Sequence, residues 1–299
     1  MKGISTLWKV QVNNMLLSTS MNWFAKVYGD CGAIRMFAAS GFDAVDYTMG
    51  YMTDPEHPIN GDNWYALARE IRQTADECGI KINQAHAPYP VMDPDDPVYT
   101  ERMIPIIRRC FEVAEVLGIE TMIIHPINWY FEDDIRIRVN TEYFRSIEYL
   151  CEKHGVKAAL ENIFRRKDGK FVVGTCGNPD LFMHLLDTLG DRHFTGCLDT
   201  GHCKLMGYSA ADVLRKMGGK RITALHVHDN DGLEDLHSLP FLFDTDWTEI
   251  CNALRDINYS GHLTFEADRC FKQMPSSLHA QACRYMCETG RTLIKMIEG

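Results

Sequence analysis

The sequence predicts a protein of the α/β class, a single (β/α)8 TIM barrel formed by all 299 residues. Short apolar segments rich in β-branched residues alternate with amphipathic segments of helical length along almost the whole chain. No glycine-rich phosphate loop follows the first strand, which disfavours a doubly wound open sheet, the main alternative. Residues 1–13 precede the first strand and are a candidate N-terminal extension of this one domain.

Eight apolar segments predict the strands of the barrel. Each is too short to be a typical helix, and most are bounded by glycine or polar residues. In chain order they are Met15–Thr19, Phe42–Tyr47, Ile80–Ala87, Thr121–Pro126, Lys157–Ile163, Phe194–Thr200, Ile222–His228 and Leu263–Ala267.

The segments between the strands predict helices, most clearly at residues 62–79. Apolar residues recur there at three- and four-residue steps, which is one face of a helix. Asp62 or Asn63 is placed to cap its start, and Gly79 to end it. A first helix is expected within 21–39, and the others at 99–117, 137–154, 178–189, 209–218, 246–257 and 277–297.

The composition disfavours several classes of protein. No apolar run approaches the ~20 residues that span a bilayer, and the N-terminus lacks the layout of a signal peptide, so we expect a cytoplasmic protein without membrane contacts. The net charge of −10, with no cluster of Lys and Arg, makes nucleic acid an unfavourable partner. Eleven cysteines without a Cys-x-x-Cys pair argue against a disulfide framework and a four-cysteine zinc site.

The third to eighth predicted strands each end in a histidine, aspartate or glutamate. Because the carboxyl ends of barrel strands converge on one face, where active sites lie, these side chains should meet there. A single such residue is often only the start of a loop, but six in succession indicate a functional cluster. They are His86, His125, Glu161, Asp199, His228 and Glu266.

The last four of these strands supply side chains suited to a divalent cation. Two glutamates, one aspartate and one histidine form an oxygen-rich site, which suits Mn²⁺ best, with Mg²⁺, Co²⁺ and Zn²⁺ as alternatives. Such a cation chelates a carbonyl and the neighbouring hydroxyl of a substrate and acidifies the adjacent C–H bond. A nearby carboxylate then takes the proton and returns it.

Two histidines, His226 and His228, compete for the role of metal ligand on the seventh strand. They are two residues apart, so on a strand their side chains point to the same side. His228 lies closer to the carboxyl end, whereas His226 lies a layer deeper, where packing or support of a ligand is expected. We therefore predict that His228 binds the metal.

The strand-end motifs HAPYP, IIHP, ALEN, LDTGH, LHVHDND and LTFEAD resemble those of the xylose-isomerase-like barrel superfamily. That superfamily includes sugar-phosphate isomerases and epimerases, ketose 3-epimerases, inosose dehydratases and the endonuclease IV group. The resemblance extends from about residue 14 to the end of the chain.

The resemblance to ketose 3-epimerases implies a metal held by Glu161, Asp199, His228 and Glu266. It implies that Glu161 and Glu266 are also the catalytic acid–base pair, and that His202 contacts the substrate. The implied activity is isomerisation or epimerisation of a sugar or sugar phosphate, by proton transfer through a metal-bound cis-enediolate. We further expect a small sugar or polyol substrate and a homo-oligomer, a dimer or a tetramer.

Two alternatives remain within the superfamily. A lyase such as an inosose-type dehydratase would expel a hydroxyl from the same enediolate. An endonuclease IV-like phosphodiesterase would use three zinc ions held by nine ligands, and Asp235 and His237 are accordingly candidates for a second metal. The residues that match all nine ligands are His86, His125, Glu161, Asp199, His202, His228, Asp235, His237 and Glu266.

The substrate contacts of a ketose 3-epimerase are only partly matched. The arginine usual six residues beyond the metal histidine is Glu234 here, the acidic residue usual beyond the first metal glutamate is Lys167, and the Gly-Glu-Gly loop is replaced at 239–243.

Candidate substrate-binding residues lie beside the strand ends. His86 and His125 can form hydrogen bonds with hydroxyls, and Trp129 is placed either to form a wall against a sugar or to pack internally. Arg165, in the run Arg165–Lys167, is either an anion-binding residue for a phosphate or carboxylate, or part of a solvated surface.

Overall fold

The computed structural model describes residues 15–130 and 132–299. The predicted extension, residues 1–13, lies outside the described residues. In that described part, strands and helices alternate as the sequence predicts. The strands are β1 (Leu17–Thr19), β2 (Ala44–Thr48), β3 (Lys81–His86), β4 (Thr121–Ile124), β5 (Lys157–Glu161), β6 (Phe164–Lys167), β7 (Lys170–Val173), β8 (Phe194–Asp199), β9 (Ile222–His226) and β10 (Leu263–Phe265).

Eight parallel strands form the closed barrel. Six pair in the order β2-β3-β4-β5-β8-β9, and β1 pairs with β10. Two parallel bridges join these sheets, one between Ser20 and Asp46 and one between Val227 and Phe265. The prediction of a TIM barrel is confirmed, and the eight predicted strands lie within about two residues of those observed.

The helices surround this barrel; eight lie close to the predicted positions, and a short one, Thr200–Leu205, was not predicted. Gly79, Gly118 and Gly155, each at or just after the end of a predicted helix, end three of them in the left-handed conformation. Asn63 precedes its helix but makes no capping hydrogen bond through its side chain. The helices are α1 (Asn22–Ser40), α2 (Trp64–Cys78), α3 (Pro97–Leu117), α4 (Asp133–His154), α5 (Pro179–Leu189), α6 (Thr200–Leu205), α7 (Ala210–Met217), α8 (Trp247–Asp256) and α9 (His279–Glu298).

The antiparallel hairpin β6–β7 is an element that the predicted strand order lacks. Its four residue pairs run from Phe164–Val173 to Lys167–Lys170. The turn between them is Asp168-Gly169, and both residues have positive φ values, 50° and 74°. An Asp-Gly dipeptide between extended segments is a typical signal for such a turn, so the hairpin was detectable from the sequence.

The interior of the barrel is polar at the carboxyl ends of its strands, which form the mouth, and apolar one layer deeper. A small cluster separate from the main core contains Ile123, Ala159, Cys197 and Ala224, one from each of β4, β5, β8 and β9. Because side chains alternate along a strand, the residues two positions further on share the inward face. Those residues are His125, Glu161, Asp199 and His226, so the apolar layer forms a floor beneath the polar mouth.

The outer core lies between the barrel and its helices. Apolar side chains such as Phe24, Phe111, Phe144 and Phe182 are fully buried there. Within the described residues, none of the helices is both long enough and apolar enough to cross a bilayer.

Gly290 in α9 is predicted to be essential for close packing of that helix on β1 and β10. A Cβ atom at this position would lie 2.3 Å from Leu17 Cδ1 and 2.8 Å from Phe265 Cε2. Gly290→Ala should therefore lower the free energy of unfolding by about 1–3 kcal/mol, although alanine is the better helix former by about 1 kcal/mol. Urea unfolding measures this, with the exposed Glu288→Ala as the control; unchanged or increased stability of Gly290→Ala would contradict it.

Candidate metal and active site

The carboxyl ends of the barrel strands surround a cavity of about 630 Å³. Six of the residues predicted from the strand ends and the following loops line it. They are His86, His125, His202, Asp235, His237 and Glu266. The side chains of Glu161, Asp199 and His228 are fully buried beside them.

Glu161, at the end of β5, lies at the centre of this arrangement. Its Oε1 is 2.8 Å from Nδ1 of His226, and its Oε2 is 2.8 Å from Nε2 of His125 and 3.6 Å from Nε2 of His86. Burial favours the neutral acid, but the charges of His226 and His125 outweigh it and hold the pKa of Glu161 well below its usual range. The carboxylate is therefore ionised.

Three histidines have a tautomer that the structure defines. Nδ1 of His86, His202 and His237 each lies 2.8 Å from a backbone carbonyl oxygen, that of Ala87, Asn162 or Glu266. Because a carbonyl only accepts hydrogen bonds, Nδ1 must carry the hydrogen in each ring. A neutral ring then directs the lone pair of Nε2 into the site, which is the arrangement typical of histidines that bind a metal.

Glu161, Asp199, His226 and Glu266 form what we term the glutamate group. One ligand atom from each lies within 4.8 Å of all the others. Glu266 Oε2 is 3.3 Å from Nδ1 of His226, the atom that also contacts Glu161. Burial is again outweighed by His226 and His237, which lower the pKa of Glu266 to about 2, so both glutamates are ionised.

His202, His228, Asp235 and His237 form a neighbouring cluster, the Asp235 group, within the same limit of 4.8 Å. Asp235 Oδ2 lies 2.9 Å from Nε2 of His237, whereas its buried Oδ1 has no hydrogen-bond partner. A carboxylate facing the lone pair of a neutral imidazole requires a proton or a cation between them. The side chains of this group therefore fit a metal ion.

The positions of His226, the last residue of β9, and of His228, two residues beyond it, differ from those expected if His228 alone faced the carboxylates. His226, not His228, lies within 4.8 Å of the three predicted carboxylate ligands. His228 Nε2 lies 3.0 Å from Asp199 Oδ1, and its buried Nδ1 has no partner. Since His228 belongs to the Asp235 group but also contacts Asp199, its role as ligand of the first metal stays a prediction.

Asp46 on β2 is a site residue that the strand-end pattern missed. Its Oδ2 accepts a hydrogen bond from Gln84 at 2.9 Å and lies 3.0 Å from Nε2 of His226. Both ring nitrogens of His226 thus face carboxylates, and these neighbours outweigh burial and raise its pKa well above the usual range. The signal that could have identified Asp46 in the sequence is that it is a charged residue inside the apolar segment Phe42–Tyr47.

The other predicted substrate-binding residues also line the cavity. Trp129 is 40% exposed, and its indole Nε1 donates a hydrogen bond to the carbonyl of Met92. Arg165 donates to the carbonyls of Trp129 and Tyr130, at 2.9 and 2.5 Å. The structure therefore brings Trp129 and Arg165 to the same wall, and gives the Arg165 guanidinium a supporting role there.

Residues 34–288 match the family model described as the xylose isomerase-like TIM barrel. The chain belongs to this family. One relative is D-psicose 3-epimerase of Enterocloster bolteae, 25% identical over 260 residues, which are 82% of this chain and 77% of that enzyme. A second relative, protein y4fM of Sinorhizobium fredii, is 29% identical over 176 residues, and that alignment spans 54% of this chain and 52% of y4fM.

A solved structure shares the fold of this chain. The IolI protein, crystallised with a bound zinc atom, superimposes with a TM-score of 0.70 and 17% sequence identity, over 95% of this chain and 98% of IolI. At this identity the similarity establishes the fold alone.

His228 should make the stability of the metal-free protein depend on pH. Although burial opposes it, Asp199 raises the pKa of His228 to about 9, above the ordinary value of about 6.5 in an unfolded chain. The stabilisation is then complete below about pH 6.5 and is lost as the pH rises through about 9, on the order of 3 kcal/mol for this residue. Urea unfolding with a chelator at pH 6 and pH 9.5 measures the loss.

His228→Gln should reduce this loss of stability, whereas the exposed His184→Gln should leave it in place. Equal losses in the wild type and His228→Gln would contradict the assignment.

Proposed function

We propose that this protein is a divalent-metal-dependent isomerase or epimerase that moves a proton on a sugar or sugar phosphate. The observation that carries the proposal is the glutamate group, in which two ionised glutamates from different strands converge at one cavity. The relationship to D-psicose 3-epimerase supports a carbohydrate substrate.

Glu161 and Glu266 would be the acid–base pair. They come from the ends of β5 and β10, and their carboxylates lie 2.8 and 3.3 Å from the same atom, Nδ1 of His226. Because both are ionised, either one can accept a proton from a carbon beside a carbonyl and then act as an acid. In epimerisation one carboxylate removes the proton from one face and the other returns a proton on the opposite face.

The lining of the cavity would orient the sugar. The Nε2 atoms of His86, His125 and His202 offer hydrogen-bonding partners to hydroxyls, and the exposed face of Trp129 provides an apolar surface for the C–H face of a ring. The apolar floor below the mouth keeps water from approaching the reacting carbon from beneath.

The cation would be held by the three carboxylates of the glutamate group, those of Glu161, Asp199 and Glu266, with His228 the predicted nitrogen ligand. Mn²⁺ is the ion we propose, and the zinc of IolI shows that a protein of this fold binds a divalent metal. When bound, it would polarise the substrate carbonyl and thus acidify the neighbouring C–H bond.

Replacing either glutamate by glutamine should remove the acid–base function while preserving shape. Glu266→Gln and Glu161→Gln should each slow exchange of the substrate C–H proton with deuterated solvent by on the order of 10²–10⁴-fold. Mass spectrometry of a panel of ketoses incubated in D₂O measures the exchange. Glu120→Gln, on the exposed opposite end of the barrel, is the control.

Wild-type exchange in Glu266→Gln that still binds metal would contradict the role of this residue. Loss of one water from the product would instead identify a lyase.

The Asp235 group gives a specific reason to consider a second candidate function, an endonuclease IV-like phosphodiesterase. It provides ligands additional to those of a site with one metal, and His86, His125 and Glu161 form a further group within 4.8 Å. The net charge of −10 opposes binding to a DNA backbone, so we favour the sugar enzyme.

The number of bound ions tests the Asp235 group directly. We expect at least two divalent ions per chain after loading with Mn²⁺ or Zn²⁺, and one fewer in Asp235→Asn, because the amide lacks the charge that holds the ion. Elemental analysis of the dialysed protein measures this. The exposed Asp244→Asn in the same loop is the control, and a single ion in the wild type would contradict the second site.

A further inference from the structure

Three arginines line the outer part of the catalytic cavity. Arg165 and Arg166 lie on β6 of the hairpin, and Arg269 lies in the turn that follows β10. Recognition of a neutral sugar needs hydroxyl and amide groups, whereas guanidinium groups from two separate elements fit a carboxylate or a phosphate.

Among the three arginines, Arg269 faces a carboxylate of the cavity wall, but only at the distance of a loose ion pair. The cavity is lined by two carboxylates, Asp235 and Glu266, and both belong to the groups that fit metal ions. Arg269 Nη1 is 3.8 Å from Asp235 Oδ2, too long for a direct hydrogen bond. A cation bound to Asp235 would further weaken this attraction.

Arg166 has a partner outside the cavity that a ligand can replace at little cost. Its Nη2 donates a hydrogen bond of 2.8 Å to Glu234 Oε2, and both side chains are more than half exposed, at 55% and 60%. Exposed ion pairs of this kind contribute about 0–1 kcal/mol. The guanidinium also lies over the ring of Phe171, 4.6 Å from its centroid, which fixes its plane beside the cavity.

Two guanidinium groups approach one backbone carbonyl in the wall between Trp129 and β6. The carbonyl of Tyr130 accepts hydrogen bonds from both Arg165 Nη1 and Arg136 Nε. Burial, followed by the like charge of Arg136, lowers the pKa of Arg165, as expected for two guanidinium groups that repel each other across one carbonyl. An anion in this part of the cavity would relieve that repulsion.

We propose that the substrate carries a terminal oxyanion, a phosphate or a carboxylate, that Arg166 and Arg269 bind at the outer end of the cavity. Arg165 acts there through its charge and by positioning the Trp129–Tyr130 segment. This inference rests on the proposed sugar-isomerase function, and it defines the orientation of the substrate in the cavity. The anionic end faces the arginines, and the carbonyl end faces Glu161 and Glu266.

The test compares three ketoses that differ only at the terminal carbon, which carries a hydroxyl, a phosphate or a carboxylate. Exchange of the C–H proton in D₂O is measured with metal-loaded wild type, Arg166→Gln, Arg269→Gln and Arg192→Gln. Arg192 is the matched control because it makes the same kind of exposed ion pair: its Nη2 lies 2.9 Å from Oε1 of Glu152, a residue of α4. Calorimetry with inorganic phosphate provides a reading that does not depend on turnover.

The phosphorylated or the carboxylated ketose should exceed the neutral ketose in kcat/KM by at least ~10-fold, mainly through KM. That ratio should fall by roughly 10-fold in Arg166→Gln and in Arg269→Gln and persist in Arg192→Gln. The identity of the preferred ketose tells phosphate from carboxylate. Equal turnover of all three ketoses, or equal phosphate affinity in all variants, would overturn the proposal.

Failure of the sugar-isomerase function itself gives a different pattern. If wild type turns over no ketose but binds phosphate with an affinity that Arg166→Gln and Arg269→Gln reduce, the oxyanion site stands and the reaction is another one. If neither turnover nor a phosphate affinity that depends on these arginines is found, both proposals fail.

Discussion

The burial of the Glu161 carboxylate is the constraint on which the rest of the site depends. An ionised carboxylate with no exposed surface is tolerated only when positive charges or cations surround it. His226, His125 and His86 approach it from three different strands, and their carboxylate neighbours raise the pKa values of His226 and His86, which supply positive charge in the metal-free protein. Because Glu161 sits where these strands converge, its burial requires that the barrel be closed and that each strand end at its observed depth.

Asp46 extends the same constraint to the opposite wall of the barrel. It holds Nε2 of His226 while Glu161 and Glu266 face Nδ1. The ring cannot turn without losing one of these contacts, so His226 links the two halves of the closed sheet. A ligand role for His226 would require that one carboxylate contact be given up, whereas the unpartnered Nδ1 of His228 imposes no such loss.

The fold was predictable from the sequence because each of its signals is local. Apolar strands, amphipathic helices and the glycines at 79, 118 and 155 are read within a few residues. The residues at the strand ends were predicted to lie together because the carboxyl ends of barrel strands converge on one face. The partner of each histidine was not predictable, since it depends on where β9 stops and how the following loop folds back. Asp229 and Ser238 pair in an antiparallel bridge, and that pairing returns the loop to the mouth.

The two groups of ligands are not independent, and this affects how substitutions must be interpreted. His228 contacts Asp199 of the glutamate group at 3.0 Å and Asp235 of its own group at 3.8 Å. Removing either carboxylate leaves His228 with one buried charged neighbour instead of two, so the second removal costs more than the first. Stability losses in Asp199→Asn and Asp235→Asn should therefore not add in the double variant, whereas two isolated sites would give additive losses. Non-additivity would show that the inner and outer parts of the mouth form a single electrostatic unit, into which the reacting end of a substrate must fit.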